Sequence, residues 1–323
     1  MIWPITTGLI AGALWALAFI APGMIEPFGA TDLTVVRYSV FGASSLLVLA
    51  FLRKKIWLPI LRSNWLLILI LAITGNTVYY LCLSESLQRS GTLLPTMIIG
   101  TLPVVMAFLG SLRNKTFSPA RFLLPALFIM GGIVSHALHS YWSGPLVSTS
   151  ELSVIGLILA LAALASWAFY GIRNAEFLTQ EKETNIVAWT ALTGVATIVT
   201  LIPVAALLPS GPHSILQGAT IGSGTLILWG LILGLLSSWV ATWFWNIASR
   251  SLAGDVLGYL IVSETVFAII YAFIIEQRLP TATELINVTL LVSGVSLGIR
   301  AASKGSRHQN DVNLYGQEGG GGA

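Results

Sequence analysis

One carboxylate, Glu264, stands near the middle of an apolar run, where a charged acid costs roughly 3 kcal/mol on insertion scales. Such a group must be buried in protein, paired with a cation or amine, or protonated. It either faces a cavity and engages an ammonium group or a proton, or stays protonated and hydrogen-bonds to a neighbour. Asn76, Tyr80 and Ser84 recur at i, i+4 and i+8, along one side of a helix, and Ser238, Thr242 and Asn246 repeat that spacing later in the chain. These two polar stripes either line one cavity from opposite sides or hydrogen-bond helix to helix, at about 1 kcal/mol per contact. Trp15, Tyr79, Tyr80, Trp167, Trp239, Trp243, Tyr259 and Tyr271 lie inside apolar runs and not only at their ends, and Trp239, Trp243 and Asn246 share a face. Aromatic walls suit an amphipathic or aromatic solute and hold ammonium groups by cation–π attraction; plain packing or lipid contact is the competing reading for each ring. Pro95 and Pro103 remove two backbone donors from one run, which makes them candidate hinges.

Other chemistries find no residues. His136, His139, His213 and His308 are loop or helix-end residues without a nearby acidic or cysteine partner in sequence, so no metal site is expected. No Walker-type loop is present, which argues against nucleotide-driven pumping. No catalytic set or cofactor motif emerges, and an enzyme is not expected. Cys82 is the single cysteine, so no intrachain disulfide can form.

The elements that must position these residues are membrane helices. Hydrophobic residues make up 55% of the 323, charged ones 9%, and mean hydropathy is +0.85, whereas soluble domains carry about a quarter charged residues. In hydrocarbon every backbone amide must be satisfied within helices or a closed barrel. The runs are continuously apolar and do not alternate, which excludes the barrel. Ten spans are expected, at 4–21, 33–52, 65–84, 92–112, 122–138, 153–172, 186–208, 225–247, 255–275 and 284–301, the fifth and ninth interrupted by Pro125 and Glu264. The first lacks the basic start and small-residue cleavage site of a signal peptide. With the N-terminus inside, thirteen of the sixteen Lys and Arg fall in inner segments and only Arg89 and Arg278 in outer loops, which predicts cytoplasmic termini. Arg37, close to the outer end of span two, is placed to snorkel, with Glu85 as a candidate partner. The basic pI of 9.1 is accounted for by this bias, and nothing suggests nucleic acid. Residues after Arg300 are polar and end in a glycine run, a tail that reads as disordered.

A weak internal repeat organises the spans. Shifted by 152 positions, Leu9, Ala11, Ala13, Trp15 and Ala16 match Leu161, Ala163, Ala165, Trp167 and Ala168. Shifted by 162, Val104, Ala120, Leu123 and Gly132 match Val266, Ala282, Leu285 and Gly294. The longer loop between spans seven and eight explains the change of shift. Five spans per repeat would invert the second copy in the bilayer, an arrangement that usually means a transporter with its site near the midplane. The expected division is a first repeat at 1–138, an outer linker at 139–152, a second repeat at 153–302 and a cytoplasmic tail at 303–323. Gly8/Gly12, Gly230/Gly234 and Gly294/Gly298 are spaced for close helix contact.

The segment Ala13-Leu14-Trp15-Ala16-Leu17-Ala18-Phe19 resembles the N-terminal signature of the drug/metabolite transporter superfamily, in its EamA-type branch, and Ser166-Trp167-Ala168 with Arg173 is similar to the same signature in a second repeat. Arg37 matches an arginine common in that family's second span. Thr101-Leu102-Pro103-Val104 and Ser263-Glu264-Thr265-Val266 resemble its Glu-Pro-Val-type motif, with Leu102 in place of the acid and Thr265 in place of the proline; Glu276 through Leu279 resembles its closing segment. The resemblance covers about residues 5–302. It implies secondary transport of small organic solutes, often export of amino acids, metabolites or drugs, in a bacterial inner membrane, with aromatic amino acid exporters as the nearest class. It also adds Thr101 and Ser263 to the candidate substrate-binding residues. The competing expectations are a proton-coupled multidrug exporter, a channel, and a membrane scaffold without carrier activity.

Overall fold

The computed structural model describes residues 2–113, 123–132, 134–135, 153–207, 214–215, 223–252 and 254–318. The linker expected at 139–152, His136, His139 and His213 lie outside these residues. All regular structure among the described residues is helical. The helices are α1 (Ile2–Met24) and α2 (Ala30–Phe51), α3 (Lys54–Ser90), and α4, in two pieces, Leu93–Ile99 and Leu102–Arg113. After them come α5 (Leu123–Gly132), α6 (Val154–Gln180) and α7 (Ile186–Leu207). The last three are α8 (Ser223–Ser251), α9 (Gly254–Ile275) and α10 (Ala282–Glu318). Eight of them are long and apolar enough to cross a bilayer, while α4 and α5 are shorter apolar helices. The chain is a polytopic helical membrane protein.

Packing between the two parts of the chain is reciprocal. Helix α1 lies against α8 and α9, and α6 against α3 and α4; α2 packs on α7 and α8, and α7 on α2 and α3. Small residues allow the close approaches. A Cβ at Gly12 would come within 2.6 Å of Ser263 on α9, one at Gly234 within 2.7 Å of the Arg37 carbonyl on α2, and one at Gly298 within 2.7 Å of Val104 on α4. The expected glycine pairs thus face other helices. Near the start of α2, Asp32 is wholly buried. Its carboxylate accepts from the Ser214 hydroxyl at 2.9 Å and the Ile215 N–H at 3.1 Å, tying the α7–α8 connection to α2.

Three features depart from the sequence expectation. Helix α3 begins at Lys54, not 65, and bends at Asn64, the one residue inside it with non-helical dihedrals; its first turns are amphipathic and basic, a composition suited to the membrane interface. Both α3 and α8 contain a widened, π-helical stretch, Ile73–Thr77 and Leu233–Val240, at positions that coincide under the 162-residue shift. Finally, α10 runs on to Glu318, past the span expected at 284–301, although the part apolar enough to cross a membrane is Ala282–Arg300.

Candidate functional site

The two π-helical stretches face each other across the centre of the bundle, and a cavity lies between them. A π turn carries one extra residue, re-aims the side chains that follow, and is frequent at functional sites. Here the stretch in α3 supplies Gly75 and Asn76 and the stretch in α8 supplies Ser237 and Ser238. Tyr79 and Thr242 follow one turn on; Trp15 and Ala18 enter from α1, Trp167 and Tyr170 from α6, Arg37 from α2 and Glu264 from α9. The cavity is narrow, with about 20 Å³ of room, enough for water-sized species but not for a bulky solute unless its walls move.

Its apolar wall is a cluster of edge-on rings. Trp15 meets Trp167 with ring centres 5.5 Å apart and nearly perpendicular, and Trp245 at 5.3 Å; Trp167 meets Tyr170 at 5.7 Å and Tyr79 at 6.3 Å. Edge-to-face geometry of this kind is the favourable one for aromatic pairs. The recurrence of Trp15 and Trp167 under the 152-residue shift therefore corresponds to a direct contact between α1 and α6.

The polar wall holds one basic and one acidic side chain, Arg37 and Glu264. Arg37 is 4% exposed, contrary to the expectation that it snorkels. Its Nε–H donates to Ser238 Oγ at 2.8 Å and its Nη2 to Ser237 Oγ at 3.3 Å, while its guanidinium lies 4.0 Å from the Tyr80 ring centre and 5.0 Å from that of Tyr38. Glu85 is not its partner: that carboxylate pairs with Arg89 at 2.6 Å, one helical turn away. The guanidinium is thus held inside the bundle by two serines of α8, the Tyr80 ring of α3 and the adjacent Tyr38 ring. Glu264 is likewise 4% exposed and makes no hydrogen bond or ion pair to any described residue, although it lines the same cavity as Arg37.

Of the residues singled out from sequence, Trp15, Asn76, Tyr79, Trp167, Thr242 and Glu264 meet in this cavity. Asn76 is also anchored, donating to Thr197 on α7 at 3.0 Å. Tyr80 lies just behind the wall as the platform for Arg37, and Ser84 is buried one turn beyond it. The others do not reach the cavity. Asn246 accepts from Asn174 at 2.9 Å and donates to Thr190 at 3.0 Å, so it joins α6, α7 and α8 on the far side of the rings. Trp239 pairs with Trp243, which stacks on Phe244, and neither indole lines the cavity. Thr101 donates to the Ile98 carbonyl at the break in α4, and Ser263 to the Leu260 carbonyl beside Gly12. Tyr259 is 39% exposed and bonds to the Ser296 carbonyl. Pro95 is buried within the first piece of α4 and Pro103 opens the second, a first-turn position that proline tolerates; the break falls between them. Sequence reasoning missed Arg37, Ser237, Tyr170 and Trp245. Trp245 sits three residues after Thr242, on its helical face, and could have been found that way.

Among the described residues no group of His, Cys, Asp and Glu is arranged to hold a metal ion. A bundle of membrane helices enclosing a polar, aromatic-walled cavity has the form of a solute transporter. The sequence profile of the EamA-like transporter family matches residues 2–136. Inner membrane protein YtfF of Escherichia coli (strain K12) is 31% identical over 327 aligned positions, covering 93% of this chain and 96% of that protein. The chain belongs to the EamA-like transporter family, within the drug/metabolite transporter superfamily, and is a multi-pass membrane protein that transports small solutes. A solved crystal structure at 16% identity has the same fold, with a TM-score of 0.63 over 93% of this chain and 98% of that one.

Proposed function

We propose that the protein is a secondary carrier that exports small amphipathic solutes, amino acids or related metabolites, by alternating access. In this reading ten spans form two inverted five-helix repeats in a bacterial inner membrane, with both termini cytoplasmic. The central cavity, lined by α1, α2 and α3 together with α6, α8 and α9, is the observation that carries it. A site shared between two units opens to alternate sides when one unit rocks against the other. The reciprocal packing of α1 with α8 and α9, and of α6 with α3 and α4, supports the paired arrangement, and the matched π stretches supply places where helices can bend. Trp15 and Trp167 would contact the apolar part of a solute, and Asn76, Tyr79, Thr242 and Glu264 its polar part.

The test is flux through the purified protein in proteoliposomes, using radiolabelled amino acids and cationic drugs with and without a pH gradient. Saturable uptake, accelerated by unlabelled solute on the opposite side, is the expected result. Flux that rises linearly without saturation would indicate a channel. Saturable flux of the cationic drugs alone, driven by the gradient, would indicate a proton-coupled multidrug exporter.

A further inference from the structure

Arg37 is held so that one edge of its guanidinium is hydrogen-bonded and another is buried without a partner. Nε and Nη2 form one side of the fork, and both are occupied by the neutral hydroxyls of Ser238 and Ser237. The remaining end of the fork runs from Nη1 to the second hydrogen of Nη2. Nη1 is buried and has no hydrogen-bond partner, although the side chain lines the cavity. Among the described residues no carboxylate comes within ion-pair distance of this arginine. A guanidinium with a free planar edge is the group best matched to a carboxylate, which accepts two parallel N–H bonds from it. Serines, unlike acids, fix its orientation without cancelling its charge, and the rings of Tyr80 and Tyr38 hold the plane.

We infer that Arg37 is the carboxylate-binding group of the transport site and that the substrates are zwitterions, with the carboxylate on the Arg37 Nη1–Nη2 edge and the ammonium toward Glu264. This rests on the carrier reading above and narrows it to a substrate class. Arg37 and Glu264 line one cavity and act on one another electrostatically without forming a contact ion pair; a zwitterion between them gives each a contact partner of opposite charge. Binding such a solute leaves no net charge in the membrane interior, where an unpaired ion is costly. A cation alone would neutralise Glu264 but leave Arg37 uncompensated.

Three matched sets of probes test this in proteoliposomes, each corrected for leakage through protein-free vesicles: alanine, leucine and phenylalanine, their carboxamides, and their decarboxylated amines. Each set keeps the side chain and the ammonium and changes only the carboxylate. The expected result is saturable flux of at least one amino acid, with its amide and amine slower by about 100-fold or more, as for a buried polar site whose partner group is deleted. Arg37→Gln should bring the three members of that set to within about threefold of one another, and Arg37→Lys, a charge without the planar fork, should restore part of the discrimination. Amides and amines moved by the wild-type protein as well as the acids would overturn this inference and leave the carrier reading standing. No saturable flux of any probe would overturn both. The wild-type comparison holds even if an Arg37 variant fails to fold.

Discussion

Arg37 donates its Nε–H to Ser238 Oγ across 2.8 Å, a bond between residues 201 positions apart. It joins α2, in the first part of the chain, to the π-helical stretch of α8, in the second. Through Tyr80 the same guanidinium also rests on α3. One side chain thereby fixes three helices around the cavity, and any motion that separates α2 from α8 must break its bonds or carry it along. The charge is compensated in part by neutral dipoles and ring faces, which leaves it available to an anion entering the cavity.

Glu264 lines the cavity and makes no hydrogen bond to a described residue, so its replacement by Gln removes an ionisable group without removing a structural hydrogen bond. Glu264→Gln should leave the melting temperature in detergent within a few degrees of wild type. It should lower flux of the preferred solute at least about tenfold, equivalent to ~1.4 kcal/mol. Thermal unfolding and proteoliposome flux on the same preparation check both halves. Unchanged flux and an unchanged pH profile would remove Glu264 from the transport site.

Gly75 lies where the α3 π stretch meets α6. A Cβ there would be 2.3 Å from the Tyr170 ring, so Gly75→Ala forces that ring or the helix to move. Overpacking of this kind costs about 1–3 kcal/mol. Because both residues line the cavity, a lower melting temperature should be accompanied by a higher KM. Gly224, where a Cβ would meet nothing within 4 Å, is the control position, and Gly224→Ala should change neither quantity.

Asn246 stabilises the bundle without touching the cavity. Asn246→Leu would strand Asn174 and Thr190, and Asn174 also accepts the Trp189 indole N–H at 2.9 Å. Losing the pair should cost about 1–2 kcal/mol. The preference among solutes, measured as relative flux across a substrate panel, should stay as in wild type.

Much of this arrangement was legible in the sequence. Continuous apolar runs gave the helices, since hydrocarbon leaves the backbone no other choice. The recurring Trp15 and Trp167 marked the aromatic wall, and Glu264 stood out because an acid in mid-span needs a protein environment. What was hidden depends on the register between helices. A stripe such as Ser238, Thr242 and Asn246 extends over two turns, so one end lines the cavity while the other joins α6 to α7; spacing alone cannot say where the cavity stops. The π stretches have no signature in residue type, so their place in α3 and α8 could not be read from spacing. Arg37 was misplaced because the serines that bury it lie far along the chain.

The central claim, a solute site at the midplane reached in turn from each side, is tested most directly by thiol accessibility. Thr242 lines the cavity, and its side chain makes no hydrogen bond to a described residue. With the single native cysteine replaced (Cys82→Ala), Thr242→Cys can be exposed to a membrane-impermeant thiol reagent from one face of the vesicle and then the other. Labelling is expected from both faces, slowed at each by a saturating transported solute, while Leu228→Cys, 56% exposed on the outside of the bundle, is insensitive to solute. Thr242→Cys that is unreactive from both faces, or labelled from one face at a rate no solute alters, would contradict it.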